Sequence, residues 1–356
     1  MAQRVKKPRS LSKNSRVWLA LTGLFLAVGV ISLLLPPEAP ENQAAGLPVF
    51  DLQGHRGARG LFPENTIPGF EGALALGVTT LEMDVGLTRD GVLVVHHDTR
   101  LNPELTRRPG GAWIEPPVPA LHELTFAELA AFDVGTIRPG TRLEAKFPNQ
   151  KGLTGVGIPA LADVLAHAEA LSRGTVRYNI EAKTSPEEPN DTAGPAAFAD
   201  ALIAAVRQAG VAGRVTVQSF DWRTLKHVQE KAPEIATVYL TAERDWLDNL
   251  KRGQPGASPW TAGLDVDDFG GSAPRAVRQA GGRVWSPYFR DLRESDLAEA
   301  RRIGLPVVVW TVNDPADMAS LIELGVDGII TDYPDRARRV MADKGMALPP
   351  AFSAAR

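Results

Sequence analysis

The sequence predicts an α/β fold, a (β/α)8 TIM barrel that carries an inserted lid subdomain and occupies residues 47–341. Short apolar runs alternate with longer helical patterns, which is typical of a parallel sheet wrapped by helices. Polar residues collect where the predicted strands end, and that end of such a barrel is where active sites lie. The chain has 356 residues, 44% of them hydrophobic and 23% charged, which suits one barrel as a single domain.

Seven apolar runs are predicted to be barrel strands: Val49–Gly54, Thr80–Val85, Val176–Glu181, Val215–Ser219, Ile235–Leu240, Val307–Thr311 and Gly328–Thr331. The eighth strand is either Gly263–Val266 or Val284–Ser286, because periodicity alone does not choose between them. The competing architecture is an open doubly wound sheet. It ranks second because the glycine-rich phosphate loop of dinucleotide-binding folds is missing.

Capping signals mark two of the helices. Thr66 can cap a helix that ends before Gly77. A second helix covers Pro315–Leu324 and stops at Gly325, with proline in its first turn. In both places two residues separate the glycine from the next predicted strand. Such short helix-to-strand loops suit a barrel.

One long segment interrupts the alternation of strands and helices. A two-residue hairpin signal, Asp90-Gly91, lies within the strand-like run Leu87–Val95. Residues 99–159 then contain one clear helical piece, Thr125–Phe132. Because this segment is too long for a passive connection, we predict an inserted subdomain over the barrel mouth. Residues 342–356 are predicted to be a frayed tail.

The N-terminal segment predicts a membrane anchor or a signal peptide. Residues 1–16 carry six cations and no acid, and residues 17–35 carry no charge. An apolar run of that length can span a bilayer, and its basic flank favours the cytoplasmic side. Residues 36–46 are predicted to be a linker. The barrel would then lie on the outer (periplasmic or extracellular) side of the membrane, or be secreted if a signal is cleaved.

Composition excludes some kinds of chemistry. The chain has no cysteine, so disulfides and thiolate-bound zinc are excluded. The net charge of −3 becomes −9 once the six N-terminal cations are set aside. Such an acidic body argues against nucleic acid as a partner, since binding to a phosphate backbone needs a basic surface.

Three carboxylates are candidate metal ligands. Glu82 and Asp84 lie two residues apart and therefore on one face of a predicted strand, and Glu181 ends another strand. If these side chains converge, they form a site for one hard divalent cation, Ca²⁺ or Mg²⁺, with Mn²⁺ or Zn²⁺ also open. The alternative is that the pair faces outward against cations of the helices.

Two histidines and two cations accompany the carboxylates. His55 and His97 follow predicted strands, and imidazole suits both tasks of acid–base catalysis, taking a proton and giving one. Arg56 and Lys183 can bring the local charge from about −1 to about +1, which would attract a phosphate group. Trp310 lies at another strand end, and the sequence favours two interpretations of it equally, barrel packing and substrate contact.

Six motifs follow one another between about Asp51 and Pro334. They are GHRGARGLFPENTIPGFEGAL, LEMDVGLTRDGVLVVHHD, NIEAK, QSF, VWTVN and GIITDYP. Their order and spacing resemble those of the glycerophosphodiester phosphodiesterases, and the insertion is similar to that of bacterial envelope members. Envelope members usually have Pro-Thr-Leu where this chain has Pro159-Ala160-Leu161, a departure outside the predicted site.

The resemblance implies a barrel with a lid that cleaves glycerophosphodiesters to sn-glycerol 3-phosphate and an alcohol. It implies that His55 and His97 are the acid and base. Metal would be held by Glu82, Asp84 and Glu181, and phosphate by Arg56 and Lys183. Glu64 and Asn65 of the PENT motif would orient the ligands from behind.

Other functions are weighed against this one. A lysophospholipase D-like activity on lysophospholipids is the nearer alternative, and a non-catalytic envelope barrel is the more distant one. Retention of both histidines, three carboxylates and both cations speaks against a decayed site. The nucleophile is either water or the substrate's own 2-hydroxyl, and we favour the hydroxyl because intramolecular attack gains effective molarity.

Overall fold

The computed structural model describes residues 49–353 of the chain. The predicted basic tail, the anchor or signal peptide and the linker all lie outside the described residues, so those predictions stand untested. Within residues 49–353, no helix is both long enough and apolar enough to cross a membrane.

Parallel strands form the predicted barrel. The described strands are β1 Asp51–Gly54, β2 Thr80–Leu87, β3 Leu93–Val95, β4 Arg177–Ala182, β5 Val215–Ser219, β6 Ala236–Thr241, β7 Glu243–Arg244, β8 Leu247–Asp248, β9 Val284–Pro287, β10 Val308–Val309 and β11 Gly328–Thr331. In spatial order the sheet runs β10-β11-β1-β2-β4-β5-β6-β9, and isolated parallel bridges from Trp285 to Val307 and from Tyr288 to Trp310 join its two ends.

The eighth barrel strand is β9, the second of the two candidates. Val284–Pro287 pairs in parallel with β6. The other candidate, Gly263–Val266, is not a strand, because the Asp265 side chain caps a short 3-10 helix at Val266–Phe269. Gly270, with φ 67°, then ends that turn.

Helices cover the outside of the barrel and its insertion. They are α1 Ile67–Leu76, α2 Phe126–Leu129, α3 Arg142–Lys146, α4 Leu161–Ser172, α5 Pro195–Gln208, α6 Trp222–Lys231, α7 Ala273–Gln279, α8 Glu294–Arg302, α9 Pro315–Leu324 and α10 Pro334–Asp343. Both predicted caps are confirmed: Thr66 accepts a hydrogen bond from Gly69 N, and α9 ends at Gly325 with φ 85°. The main apolar core lies between these helices and the strands.

The alternation of side chains along β2 positions the carboxylates. Leu81, Met83 and Val85 are fully buried in the core under the helices. The intervening Glu82 and Asp84 therefore point into the barrel interior, as strand geometry requires. The outward-facing alternative considered for these two acids is wrong.

The insertion has an apolar cluster of its own. The β2–β3 hairpin is present, but residues 88–92 connect the strands instead of a two-residue turn. Leu101, Ile114, Leu129 and Ile158 pack against Val94 of this hairpin. The insertion also reaches the barrel mouth, where Gln150 Nε2 donates a hydrogen bond of 2.7 Å to the carbonyl of Arg59.

The C-terminal residues correct the prediction of a frayed tail. Helix α10 continues to Asp343, and Met346 and Phe352 pack against the core. The Phe352 amide donates to the Leu74 carbonyl at 2.8 Å, and Arg338 Nη1 donates to the Pro349 carbonyl at 2.7 Å. Apolar side chains spaced along the segment therefore dock it on the barrel through residue 352.

Candidate active site

The turn after β1 shapes one wall of the site. Arg56 has φ 50° and Gly57 has φ 90°, so the chain turns sharply as the strand ends. A Cβ on Gly57 would lie 2.8 Å from backbone atoms of Gly69, which excludes larger residues there. This turn aims the Arg56 amide at Glu82, whose Oε2 accepts a 2.8 Å hydrogen bond from it.

The three predicted metal ligands converge. One carboxylate oxygen each from Glu82, Asp84 and Glu181 lies within 4.8 Å of the others, and all three residues are buried. Burial and the charge of Asp84 raise the pKa of Glu82 well above its usual range. Burial also raises the pKa of Glu181, to about 7, although Lys183 opposes the shift.

The donor set fits a divalent cation. Asp84 Oδ1 is a buried oxygen without a hydrogen-bond partner among the described residues, and its ion-pair partner Lys183 Nζ lies 3.5 Å away, so the oxygen has room for a further cationic partner. Burial would raise the pKa of Asp84, but Arg56, His97 and Lys183 hold it well below its usual range. An ionised, under-bonded carboxylate between two others is a suitable ligand for a hard metal ion. These three residues could therefore hold one.

A polar layer inside the barrel supports Glu82 from below. Gln218 Nε2 donates to Glu82 Oε1 at 2.8 Å, and Asn179 Nδ2 donates to Gln218 Oε1 at 2.9 Å. Asn179 Nδ2 also donates to Gln53 Oε1 at 2.8 Å. Each of these buried side-chain amides thus has a hydrogen-bond partner, and this series of hydrogen bonds orients Glu82 through Gln218.

Both predicted cations lie against the carboxylates. Lys183 Nζ is 2.8 Å from Glu181 Oε1 and 3.5 Å from Asp84 Oδ1. Arg56 Nε is 3.2 Å from Asp84 Oδ2, and its Nη1 donates to Glu64 Oε1 at 2.6 Å. Burial opposes the charge on Lys183, but Glu181 and Asp84 raise its pKa above the usual value. Both side chains therefore stay charged at the cavity wall.

The two residues of the PENT motif have different partners. Asn65 Nδ2 donates to Asp84 Oδ2 at 2.9 Å, so this residue does lie behind a candidate ligand. Glu64 instead pairs with cations, with Arg56 at 2.6 Å and Arg59 at 3.5 Å. Burial opposes ionisation of Glu64, but these two guanidinium groups lower its pKa.

His55 has a carboxylate partner that the sequence reasoning did not assign. Its Nδ1 lies 2.5 Å from Asp332 Oδ1, while Nε2 faces the cluster at 4.0 Å from Glu82 Oε2. Burial lowers the pKa of His55 to about 4, although Asp332 acts against this. Asp332 also accepts hydrogen bonds from Arg59 Nε at 3.0 Å and from Asn313 Nδ2 at 2.7 Å.

His97 also has a carboxylate partner. Its Nδ1 lies 2.6 Å from Asp98 Oδ1, and Asn102 Nδ2 donates to Asp98 Oδ2 at 2.8 Å. Burial, Arg56 and Lys183 lower the pKa of His97 to about 4. Its neighbour His96 is turned away, with Nδ1 on the carbonyl of Asp98. In both His55 and His97 the carboxylate contacts Nδ1, so Nε2 is the ring nitrogen that can exchange a proton with a substrate.

Several residues of the site were not predicted from the sequence. Asp332, Asn313 and Gln218 occupy strand ends, so their position was a signal, but their partners depend on the closed barrel. Arg59 lies 6% exposed over the Phe147 ring, at 4.6 Å from its centroid. Lys146, from the insertion, lines the same cavity and had no signal in the sequence.

The cavity has a charged half and an aromatic half. Its volume is about 1040 Å³, and it includes His55, His97 and the carboxylates on one side. Trp310 lies on the other side, with Phe220, Trp246 and Tyr288. Trp310 Nε1 is held by the Ser286 carbonyl at 2.9 Å, so its indole packs in the barrel and also faces the cavity.

The fold and site define a class of protein, a (β/α)8-barrel enzyme. Two imidazoles, each held by a carboxylate, share a cavity with a carboxylate cluster and basic side chains. That set can move protons at an anionic substrate, and it lies at the carboxyl ends of the strands, as barrel active sites do.

Comparison with known proteins identifies the family. Residues 55–336 match the family described as the glycerophosphoryl diester phosphodiesterase family. The chain therefore belongs to this family, whose activity is the hydrolysis of glycerophosphodiesters, and it is an enzyme of that kind. The resemblance inferred from the motifs is confirmed.

Individual relatives agree with this assignment. A glycerophosphodiester phosphodiesterase of Bacillus subtilis (strain 168) is 26% identical over 328 residues, covering 88% of this chain and 95% of the relative. A crystal structure from Silicibacter pomeroyi DSS-3, itself provisionally assigned as a glycerophosphoryl diester phosphodiesterase, is 37% identical with a TM-score of 0.75, covering 84% of this chain and 95% of that one.

A more distant structure shares the fold. An Oleispira antarctica phosphodiesterase in complex with its product sn-glycerol-3-phosphate has a TM-score of 0.59 at 18% identity, with 83% of this chain and 97% of that chain covered.

Proposed function

We propose that this chain hydrolyses glycerophosphodiesters to sn-glycerol 3-phosphate and an alcohol, with a divalent metal and with His55 and His97 as acid and base. The observation that carries the proposal is the pairing of each histidine with a buried or half-buried carboxylate across one cavity from three converging acids. The product bound to the Oleispira phosphodiesterase supports the assignment of the phosphate product.

Glu82, Asp84 and Glu181 would hold the metal, for which Ca²⁺ or Mg²⁺ suits an all-carboxylate set and Mn²⁺ or Zn²⁺ stays open. When bound, such an ion neutralises charge on phosphoryl oxygens and makes the phosphorus easier to attack. Gln218 and Asn65 keep two of these carboxylates in place through hydrogen bonds of 2.8 and 2.9 Å.

Arg56 and Lys183 bind the phosphate. Their two charges bring the group of three acids and one divalent ion from about −1 to about +1, and this positive charge attracts a phosphodiester anion. Arg56 has Nη1 on Glu64, which fixes the guanidinium plane at the cavity wall. A guanidinium held in this way can present a second edge to two phosphate oxygens.

The histidines move the protons. With Nδ1 held by Asp332 or Asp98, each ring directs Nε2 into the cavity. Because burial lowers both pKa values to about 4, both rings are neutral at pH 7, and either can accept the nucleophile's proton. The ring that takes this proton becomes an acid for the reverse transfer, so the pair can alternate over two steps.

The nucleophile in this proposal is the 2-hydroxyl of the substrate's glycerol. Attack on phosphorus by that oxygen forms a cyclic phosphate: one neutral histidine takes the hydroxyl's proton, and the histidine pair returns one proton to the expelled alkoxide, so that both rings end neutral. Water then opens the cyclic phosphate by the same exchange, in which its proton goes to the histidine pair and one proton returns to the departing 2-oxygen. The hydroxyl is tethered near phosphorus, and that effective molarity favours it over a loosely held water.

We also propose a location in the cell envelope, with the barrel on the outer side of the membrane. The support is the uncharged run at residues 17–35 behind a basic flank.

The function is tested with the full chain, purified in detergent and incubated with glycerophosphocholine and Ca²⁺ or Mg²⁺. Phosphorus NMR should show sn-glycerol 3-phosphate as the product. His97→Ala should lose about a hundredfold to ten-thousandfold in kcat, which is the usual contribution of general acid–base catalysis. His167→Ala is the matched control, because His167 lies on outer helix α4 and binds Glu71.

Two outcomes would contradict the proposal. If no diester is cleaved with either metal, the activity is wrong. If the metal-free protein in excess chelator turns over as fast as the metal-loaded protein, the metal part is wrong.

A further inference from the structure

An aromatic wall faces the charged site across the cavity. Its rings are Phe220, Trp246, Tyr288 and Trp310, from the loops after β5, β7, β9 and β10. Ring centroids lie 5.3 Å apart for Phe220 and Trp310, 5.4 Å for Tyr288 and Trp310, and 6.0 Å for Trp246 and Trp310. Four rings from separate loops thus meet at one place in the active-site cavity.

Three of the four ring contacts are edge-to-face and the fourth is tilted. The interplanar angle is 81° between Phe220 and Trp310, 72° between Trp246 and Trp310, 88° between Trp246 and Tyr288, and 57° between Tyr288 and Trp310. Rings in such contacts turn faces in different directions, so a group in the corner meets more than one π-face. A ring face is electrostatically negative, which attracts a cation.

Trp246 is the accessible member of the wall. It lies at the tip of the β7–β8 hairpin and is 60% exposed, one of few large hydrophobic side chains left open in the described part of the chain. Trp310, by contrast, is held from behind by Ser286. The wall therefore combines a fixed ring with an open one, and a ligand would cover the exposed indole.

Acidic side chains line the cavity together with these rings. They are Glu187, Glu188, Asp314 and Asp317. Among the described residues that line the cavity, Arg290 contacts a neighbouring ring, with its guanidinium over Phe289 at 5.3 Å.

Two cations outside the lining also contact this region. The Arg244 guanidinium already lies over the Tyr288 ring at 5.0 Å, which shows that a cation is accommodated on a ring of the wall. Lys251 Nζ lies 4.0 Å from Glu187 Oε1 and offsets part of the negative charge. The other three acids of the lining remain to attract a cationic ligand.

We propose that this aromatic corner binds a quaternary ammonium head group on the leaving alcohol, so that the preferred substrates are diesters of the choline type. The inference rests on the proposed function, because it needs the phosphate to sit in the charged half. A quaternary ammonium is a cation with an apolar surface and no hydrogen-bond donor, which suits π-faces and nearby carboxylates. A lysophospholipid acyl chain would match the rings but not the acids.

The test compares glycerophosphocholine with the 3,3-dimethylbutyl ester of glycerol 3-phosphate, in which carbon replaces the nitrogen. Shape is the same and only the charge differs. The wild type should prefer the choline diester at least about fivefold in kcat/KM, and Trp246→Leu should reduce that ratio at least about threefold, within the range of cation–π effects.

Two control variants test whether the preference depends on the aromatic ring at position 246. Trp246→Phe retains a ring face and should keep most of the preference. Trp113→Leu removes an indole of the insertion that lies beside Arg107 and Arg138 and does not line the cavity, so it should leave the ratio unchanged. A wild-type ratio near one, or a ratio that Trp246→Leu does not alter, overturns the inference.

Failure of the proposed function is separable from failure of this subsite. Binding of both diesters is measured by tryptophan fluorescence in His97→Ala, without turnover. If the wild type cleaves neither diester but the choline diester binds more tightly than its isostere, the function is wrong and the subsite stands. Equal binding of the two, or none, overturns the subsite.

Discussion

Asp332→Asn is the sharpest perturbation of the acid–base machinery. Asp332 is 1% exposed, and its two oxygens accept from three side chains, those of His55, Arg59 and Asn313. Asparagine has a single oxygen, so at least one donor would meet an NH2 group. If that donor is His55, the imidazole must take the other tautomer, and its Nε2 then carries a proton and cannot act as a base.

The magnitude follows from the 2.5 Å contact between His55 Nδ1 and Asp332 Oδ1. When His55 becomes imidazolium, its charge centre lies roughly 4 Å from the carboxylate, and the attraction is about 4 kcal/mol at an effective dielectric constant of about 20. An amide retains part of this through its dipole. A loss of about 3–4 kcal/mol corresponds to a fall in kcat of about two to three orders of magnitude.

The assay is the initial rate of sn-glycerol 3-phosphate release at saturating metal, with KM and the metal dissociation constant measured alongside. Metal affinity should change little, because Asp332 is not one of the three converging acids. Asp335→Asn, an exposed carboxylate in the first turn of α10, is the control and should keep wild-type kcat. If Asp332→Asn retains more than a tenth of wild-type kcat with an unchanged unfolding midpoint, Asp332 does not act through His55.

Three further predictions concern the metal, the nucleophile and the N-terminal segment. In the metal-free protein the pKa of Glu181 rises from 4.5 to about 7, so its contribution to stability is full below pH 4.5 and is lost as pH rises through about 7. Because metal must displace that proton, calorimetry should show the metal-induced rise in unfolding temperature growing from pH 5.5 to pH 8, and an equal rise at both pH values would refute this. A substrate whose 2-hydroxyl is replaced by hydrogen should turn over at least about a hundredfold more slowly, a loss of more than about 2.7 kcal/mol, whereas a rate near that of the parent diester would establish water as the nucleophile. If residues 17–35 are an anchor, membrane fractionation should find the intact chain in the pellet with the barrel open to protease only from the outer side; a soluble form that begins between residues 36 and 46 would instead establish a cleaved signal.

Local features of the sequence determined much of the barrel. The period-two pattern of β2 placed Glu82 and Asp84 on one face of the strand, since that alternation is a property of any strand. Thr66 and Gly325 marked helix ends because capping needs a side-chain oxygen or a left-handed residue at one position. The motif HRG fitted the turn after β1, where Gly57 touches the backbone of Gly69.

Other features were decided by tertiary structure alone. Periodicity left the eighth strand open, and pairing of Val284–Pro287 with β6 settled it. The C-terminal tail was predicted to fray, yet Phe352 docks on the core beside Leu74. The surface on which this segment packs is formed by helices that are distant in sequence. The sequence of the segment itself therefore does not predict that it docks.

The same reasoning applies to the site. The ligand and acid–base candidates stood out because each lies in a predicted strand or just after one. The contact between His55 and Asp332 was not visible in the sequence, because 277 positions separate the two residues. The aromatic wall likewise joins four loops that have no common sequence signal. The sequence by itself determined which side chains reach the mouth of the barrel, because that depends on local strand geometry. Closure of the barrel decided which of them touch, because only closure brings the ends of distant strands side by side.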